Sequence, residues 1–332
     1  MKRRTLILGG TGFIGLQLAR RLAELAAAGD EILLVDNFSR GRHDVEVEAF
    51  LSEYSSIRLK ESDLTERNAY EAFEGAFDHV YLLASMLGVQ RVETQPEVVM
   101  RTNTLIILNT LEWMAKSGSK RLFFSSTSEN YAGGYEYNIL PIPTAENVPL
   151  VISDIKNPRF SYAVTKIWGE AASIAYGSRH GFAVIVGRYH NVYGPRMGFD
   201  HVIPQLTQRI LNGEAPLQVY GSEQCRAFCH VTDAVEATRL MMEVPDPKTT
   251  IVHIGNDQEE IVIADLARRL LTLAGRAPEF VARPAPRGSV PRRVPALDLL
   301  RKMTGFEAKI SFAQGLAETY QWYREGLASK KH

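Results

Sequence analysis

The sequence predicts an α/β fold, a doubly wound parallel sheet with a smaller C-terminal lobe, on three observations. Short apolar segments alternate with amphipathic ones through the first half of the chain. The first apolar segment runs into a glycine-rich turn, and the alternation loosens after Gly194-Pro195. With 332 residues, 45% of them apolar, the chain can build one large core or two modest lobes. Strands covered by helices on both faces read as short continuous apolar runs, which is the pattern seen here.

Thr5–Leu8 reads as the first buried strand and Ile14–Ala27 as the helix behind it. Glu31–Val35 is a second strand, Ile57–Leu59 a short apolar stretch, and His79–Ala84 a later strand, ending in Leu83 and Ala84. Thr104–Lys116 has helical spacing, Arg121–Ser125 is a strand, Tyr162–Tyr176 a helix and Ala183–Arg188 a strand. Beyond Pro195, Pro204–Asn212 reads as helical, Leu217–Tyr220 and Ile251–Ile254 as short strands, and the proline- and arginine-rich Arg283–Pro295 as a loop. No repeat, low-complexity tract or flexible linker interrupts the chain. The expected division is a first lobe over residues 1–180, to which 225–260 returns, and a second lobe spanning mainly 181–332.

Lysine plus arginine equals aspartate plus glutamate at 38 each, so the chain lacks the positive surplus of a nucleic-acid binder. A local basic pocket for a phosphorylated small molecule is compatible with that balance. Cys225 and Cys229, four residues apart with no CxxC or paired histidines, are not a zinc signature and read as ordinary thiols in a reducing compartment. Met1-Lys2-Arg3-Arg4 is basic, but Leu6-Ile7-Leu8 is cut at once by Gly9 and Gly10, too short for a signal peptide. No apolar run reaches bilayer length. The expectation is a cytoplasmic protein with no metal, nucleic-acid or membrane partner.

Gly9-Gly10-Thr11-Gly12-Phe13-Ile14-Gly15 follows the first strand and opens the first helix. Gly9 permits the tight turn, Gly12 lets backbone approach a pyrophosphate, and Gly15 allows close helix–strand packing, with helix amides facing the anion. This is the Rossmann-type dinucleotide turn, and it makes the first lobe the nucleotide-binding one. Asp36 ends the second strand roughly 20 residues beyond the turn, where an acid and its neighbour Asn37 meet the adenosine ribose. Its charge repels a 2′-phosphate and favours NAD over NADP, with Arg40 and Arg42 pulling the other way. Asp63-Leu64 stands at a further strand end, where Asp63 is either an adenine contact or a plain helix cap.

Tyr162-Ala163-Val164-Thr165-Lys166 is a YxxxK pair, whose first and last residues share one helix face. An ammonium there can lower the phenol's pKa and bind the nicotinamide ribose, making a base for a sugar hydroxyl. Taken with the glycine turn and Asp36, the pair resembles the extended short-chain dehydrogenase/reductase family, in particular its nucleotide-sugar epimerases, dehydratases and decarboxylases. The resemblance runs nearly end to end. Phe123–Tyr131 is similar to the family strand that carries a catalytic Ser/Thr four residues before a tyrosine, which assigns that hydroxyl to Thr127. Such a Ser/Thr-rich strand end can also simply satisfy loop backbone. Arg188-Tyr189-His190-Asn191-Val192-Tyr193-Gly194-Pro195 resembles the family's R-x-x-N-x-Y-G-P segment, with Asn191 at the substrate diphosphate. Val202, Val219 and Tyr220 fall in segments resembling those that hold the nucleotide base. Arg226 and the pair Arg292-Arg293, with Arg292 taken as the contact, resemble arginines that grip phosphate, a task suited to a planar guanidinium fork. Ser128, beside Thr127, joins the substrate contacts.

The resemblance implies bound NAD, oxidation of a nucleotide-diphosphate sugar at C4 to a 4-keto intermediate, and a homodimer through helices around Thr104–Lys116 and Tyr162–Tyr176. Leu105, Leu108 and Ile167 on those helices can equally be monomer core. Three places depart from the pattern: Pro295 precedes Ala296 where a Pro-Asp step is common, the Tyr131–Tyr162 loop is long, and Ser85–Gln90 matches no subfamily signature. Glu129 in Thr127-Ser128-Glu129 discriminates between reactions. It is either the base that removes the C5 proton of a 4-keto sugar or a structural carboxylate. Epimerisation is the nominal expectation, with 4,6-dehydration, decarboxylation of a glucuronate and release of the ketone as alternatives. A non-catalytic NAD-binding regulator and a small-carbonyl reductase are outside readings, opposed by the retained Thr127, Tyr162 and Lys166 and by Asp36.

Overall fold

The computed structural model describes residues 2–285 and 289–328; positions 286–288 of the expected loop and 329–332 of the second lobe lie outside the described residues. The apolar runs become β1 (Arg4–Leu8), β2 (Glu31–Asp36), β3 (Ile57–Glu61), β4 (His79–Leu82), β5 (Arg121–Thr127) and β6 (Ala183–Tyr189), joined by Thr250–Ile254. In space they run β3, β2, β1, β4, β5, β6 and Thr250–Ile254, with every pairing parallel, so the expected fold class holds. Successive strand residues point to opposite faces, and both faces are filled. Ile7, Tyr81, Phe123 and Ile185 enter one core, while Leu6, Leu8, Val80, Leu82, Leu122, Phe124, Val184 and Val186 enter the other.

The helices follow from the same economy. On the first face lie α1 (Phe13–Glu24) and α2 (Val45–Glu53), the latter capped by the Asp44 carboxylate accepting from the Val47 amide at 3.2 Å. A short α3 (Val89–Thr94) leads into α4 (Pro96–Ser117), which begins a full two turns before the expected helix because Pro96 suits a first helical position. After β5 come α5 (Ala132–Glu136) and α6 (Phe160–His180), and α6 packs beside α4 on the second face. The strand order reverses between β1 and β4, and in such sheets ligands bind in the crevice at the strand C-termini there.

The second lobe packs its own core around the helix Val202–Leu211, the paired strands Leu217–Tyr220 and Phe280–Arg283, and the helices Ile263–Leu273 and Phe312–Ala328. Ile263, Leu266, Ala267, Leu270 and Leu271 form a continuous buried stripe at helical spacing. The helix Val231–Glu243 returns to pack on α1, and β6 lies in the central sheet although it follows residue 180. The long loop after β5 has a core of its own, in which Tyr131, Tyr135, Phe160 and Val290 are buried against Leu140, Ile142 and Leu150. It holds the end of the Arg283–Pro295 stretch through Thr144, which accepts from the Ala296 amide at 2.8 Å and donates its own to the Val294 carbonyl at 2.9 Å. Within that stretch Arg292–Arg293 forms a two-residue strand where only loop was expected.

Candidate active site

The turn after β1 leaves little room for side chains. Gly9 has φ +88°, and a Cβ on it would stand 2.7 Å from the Ala84 nitrogen; one on Gly15 would stand 2.1 Å from the Gly9 carbonyl oxygen. Gly12 caps α1 without a side-chain hydrogen bond, so the amides of the first turn are open to an anion. Phe13 and Ile14 pack half-buried on the core behind. Leu83 and Ala84 both donate their amides to the Leu8 carbonyl, at 2.9 and 2.8 Å, which brings the end of β4 against Gly9.

Asp36 is buried at the end of β2, where its carboxylate accepts from the Thr11 amide at 3.1 Å and the Phe38 amide at 2.9 Å. Each carboxylate oxygen has a second lone pair, so acceptor capacity for a ribose diol remains. Asn37 is exposed and accepts from the Ser39 amide at 3.1 Å. Arg40 reaches to the loop after β4, donating to the Leu87 carbonyl at 2.6 Å and facing Asp200 at 3.7 Å. Asp63 takes both the amide and the hydroxyl of Thr65 at 2.9 Å in a turn and caps no helix, since the helical turn that follows starts after Glu66 without a side-chain cap, and Leu64 is core. Glycine cradle, uncapped helix start and strand-end acid together fit a dinucleotide.

Tyr162 and Lys166 rise from one face of α6, with the Lys166 Nζ 5.7 Å from the centre of the Tyr162 ring. Lys166 is 2% exposed and donates to the Ser125 carbonyl at 2.7 Å. Burial pulls its ammonium down to about 7, with Glu170 opposing. Burial pushes the Tyr162 phenol up to about 12, against the Ser85 hydroxyl within hydrogen-bonding reach and the Arg40 cation. Thr127 stands half-buried at the end of β5 and accepts from the Glu129 amide at 3.2 Å. Beneath it, Arg188 grips Glu170 at 2.9 and 2.6 Å, and Glu170 also receives the Ser126 hydroxyl and the Asn130 amide. Breaking such a buried pair costs about 3–5 kcal/mol, so Thr127 and its neighbours rest on a stiff platform.

Ser85 is a site residue the motifs did not reveal. Asn103 of α4, 2% exposed, accepts from the Ser85 hydroxyl at 3.1 Å and exchanges bonds of 2.7 and 2.9 Å with the Met86 backbone. Nothing in the local sequence pairs Asn103 with a loop 17 residues earlier.

Glu129 is surrounded by arginines. Arg293 donates to it at 2.6 Å and Arg159 at 3.4 Å, while the Ser128 hydroxyl accepts from Arg293 at 3.2 Å. Burial alone would raise the Glu129 carboxyl, yet Arg293 and then Arg159 hold it down at about 2. Arg226 lies in the same field; burial and the Arg293 cation pull it down only to about 10, so it stays charged at neutral pH. Arg159 and Arg293 thus pair with Glu129, and Arg226, bonded to the Cys225 carbonyl and to Gln224, lies within the same field.

Of the Arg292-Arg293 pair, the residue expected to reach substrate is the one that faces away. Arg292 points outward and forms a fork with Glu260 at 2.7 and 2.5 Å, whereas Arg293 is buried and turns inward. The cause is strand register: Arg292 pairs with Cys225 and Arg293 with Arg226, and neighbours along a strand point to opposite faces. Asn191, at φ +41°, donates to the Ala227 carbonyl at 3.1 Å. Val202 opens its helix half-buried, Val219 is sealed in the second core, and Tyr220 is 55% exposed. Among the described residues no cluster of three metal-ligating side chains exists, and no helix is long and apolar enough to cross a membrane.

A dinucleotide cradle beside a Tyr–Lys pair fits an enzyme that oxidises hydroxyl groups, and the neighbouring arginines suit an anion. The chain belongs to the NAD dependent epimerase/dehydratase family, whose model matches residues 5–255. It is 33% identical to the UDP-N-acetyl-alpha-D-glucosaminuronate decarboxylase of Bacillus cytotoxicus, over 98% of this chain and 99% of that one. It is 32% identical to UDP-glucuronic acid decarboxylase 1 of Xenopus tropicalis, over 98% of this chain and 73% of that one. Among solved structures it is similar to the UDP-glucose 4-epimerase of Thermotoga maritima with UDP-glucose, at 28% identity, TM-score 0.82 and coverage of 98% and 99%. The family and its nucleotide-sugar chemistry thus agree with the expectation, while decarboxylation is supported at least as well as the nominal epimerisation.

Proposed function

We propose that the protein decarboxylates a nucleotide-linked hexuronate by way of a 4-ketone. The carrying observation is the arginine cluster around Glu129. A carboxylate held at about 2 is too weak a base to take a C5 proton, which counts against 4,6-dehydration and 5-epimerisation. The guanidiniums of Arg293 and Arg226, gathered with Arg159 around a single carboxylate, suit a substrate that carries its own carboxylate besides its diphosphate. Names of the two relatives described above point the same way.

In this reading Gly9, Gly12, the start of α1 and Asp36 hold NAD, which when bound supplies reversible hydride acceptance. Tyr162 takes the proton of the C4 hydroxyl, Lys166 stands beside it to bind the nicotinamide ribose, and Thr127 orients the reacting oxygen. With C4 a ketone, the C5–C6 bonding pair can move towards the carbonyl as the C6 carboxylate leaves as carbon dioxide. A proton from solvent then closes C5. Glu129 keeps Arg293 in place between the diphosphate and the sugar.

The same active site supports a second reading, C4 epimerisation of the uronate, favoured by the likeness to the epimerase structure. Incubation of NAD-loaded protein with UDP-glucuronate and with its N-acetylglucosamine counterpart in deuterium oxide, followed by NMR, separates the two. Decarboxylation gives a pentose-type product with one deuterium at C5; epimerisation keeps the carboxylate and leaves C5 unlabelled. Recovery of the epimer alone would sink the decarboxylase reading. A homodimer belongs to the same proposal: α4 and α6 lie side by side and leave Val98, Met100 and Trp168 exposed.

A further inference from the structure

We propose that His190 is a positioning residue for Arg293, taking the Arg293 Nε–H on its neutral ring through one bound water. The inference rests on Arg293 as the group that meets the substrate's negative charge. His190 is wholly buried at the end of β6, and neither ring nitrogen has a hydrogen-bond partner among the described residues. Arg293, equally buried, has both an anchored and an unanchored end. Its Nη1 reaches Ser128 and Glu129, while its Nε is also without a partner. An unpaired buried donor and an unpaired buried acceptor in one region each carry a desolvation cost that a bridging water removes.

Packing brings the two together. A Cβ on Gly255 would stand 3.1 Å from the His190 Cβ and 3.2 Å from the Pro295 Cγ, so His190 and the segment that follows Arg293 flank the same glycine. That segment is fixed one residue further on, where the His253 Nδ1 meets the Ala296 carbonyl at 3.0 Å. His253 is committed at its other nitrogen too, 2.6 Å from the Tyr131 hydroxyl, which accepts from Arg188 at 2.6 Å. His190 meets His253 edge to face, with ring centres 4.5 Å apart, which leaves the His190 nitrogens for another partner. Burial, then the charges of His253 and Arg293, hold His190 well below its ordinary pKa, so it stays neutral and offers an acceptor. A histidine here therefore serves the arginine fork as a bracket, where an aromatic ring of similar size would only fill space.

The test compares His190→Phe, which keeps the volume, with His190→Gln, which keeps an acceptor, on NAD-loaded protein. Calorimetric titration with UDP-glucuronate should show affinity about tenfold weaker in His190→Phe and close to wild type in His190→Gln, the worth of one hydrogen bond to a charged group. UDP-glucose affinity should fall by less in His190→Phe, because only the diphosphate contact is weakened, and should stay close to wild type in His190→Gln. The Arg293 Nε–H resonance, assigned by its loss in Arg293→Lys, should be protected from solvent exchange in wild type and His190→Gln and unprotected in His190→Phe. Unchanged protection in His190→Phe overturns the inference whatever the substrate is. Protection lost as expected, in a wild type that binds UDP-glucuronate no better than UDP-glucose, supports the bracket and overturns the hexuronate reading instead.

Discussion

Replacing Lys166 with methionine should stabilise the cofactor-free protein while disabling it. Lys166 is 2% exposed, and burial lowers its ammonium from 10.5 to about 7. Between those values the unfolded chain binds a proton that the native state does not, so stability rises with pH across this window and is lowest below 7. At ~1.36 kcal/mol per pH unit, the buried lysine costs about 4 kcal/mol at pH 7 and about 1.5 kcal/mol near pH 9.5. Methionine fills a similar volume and carries no charge, but it leaves the Ser125 carbonyl without its side-chain donor, a loss of about 1 kcal/mol. The net gain at pH 7 is then roughly 3 kcal/mol, nearly vanishing by pH 9.5. Tyr162 does not disturb this comparison, because its raised pKa matters to stability only above about pH 10. Urea denaturation of both proteins at the two pH values, at one protein concentration, reads the difference directly. A variant that is less stable at pH 7, or that differs from wild type equally at both pH values, would refute the reasoning. Turnover and NAD affinity should fall together in the same variant, since stability here is exchanged for a buried amine at the reacting centre.

Tyr162→Phe keeps the ring and the fold but should slow C4 oxidation by a factor of about 10²–10⁴, measured as single-turnover reduction of bound NAD. Because the Tyr162 phenol is pushed up to about 12, the wild-type oxidation rate should climb with pH through the neutral range, and the variant should lose that slope. Thr127→Ala should lower kcat with NAD affinity unchanged; a loss of NAD affinity instead would assign Thr127 to the cofactor. We propose pairing through α4 and α6, for which light scattering should give twice the monomer mass; a monomer at micromolar concentration would reject it.

Much of this protein was legible in its residues because the responsible interactions are local. The turn through Gly9, Gly12 and Gly15 depends on backbone conformation and a strand–helix junction a few residues long. Tyr162 and Lys166 meet because helical spacing alone puts them on one face. The double-faced apolar runs, such as Phe123-Phe124, were enough to set a parallel sheet between two helical layers. Even the stripe Ile263–Leu271 carried its helical period, although the strand rhythm had already loosened there.

What the sequence left open was set by partners distant along the chain. Thr127-Ser128-Glu129 offered a candidate base, but Arg293, 164 residues away, makes that carboxylate a weak one. Arg292 and Arg293 are indistinguishable in a loop; only pairing with Cys225–Arg226 decides which enters the cleft. Ser85 needed Asn103, and Asp63 closes a turn on Thr65 instead of capping a helix. Sequence therefore determined the sheet, the cofactor cradle and the Tyr–Lys pair, which depend on short-range periodicity. Tertiary structure decided the charge and aim of Glu129 and Arg293, because electrostatic fields and strand register arise only when remote segments are brought together.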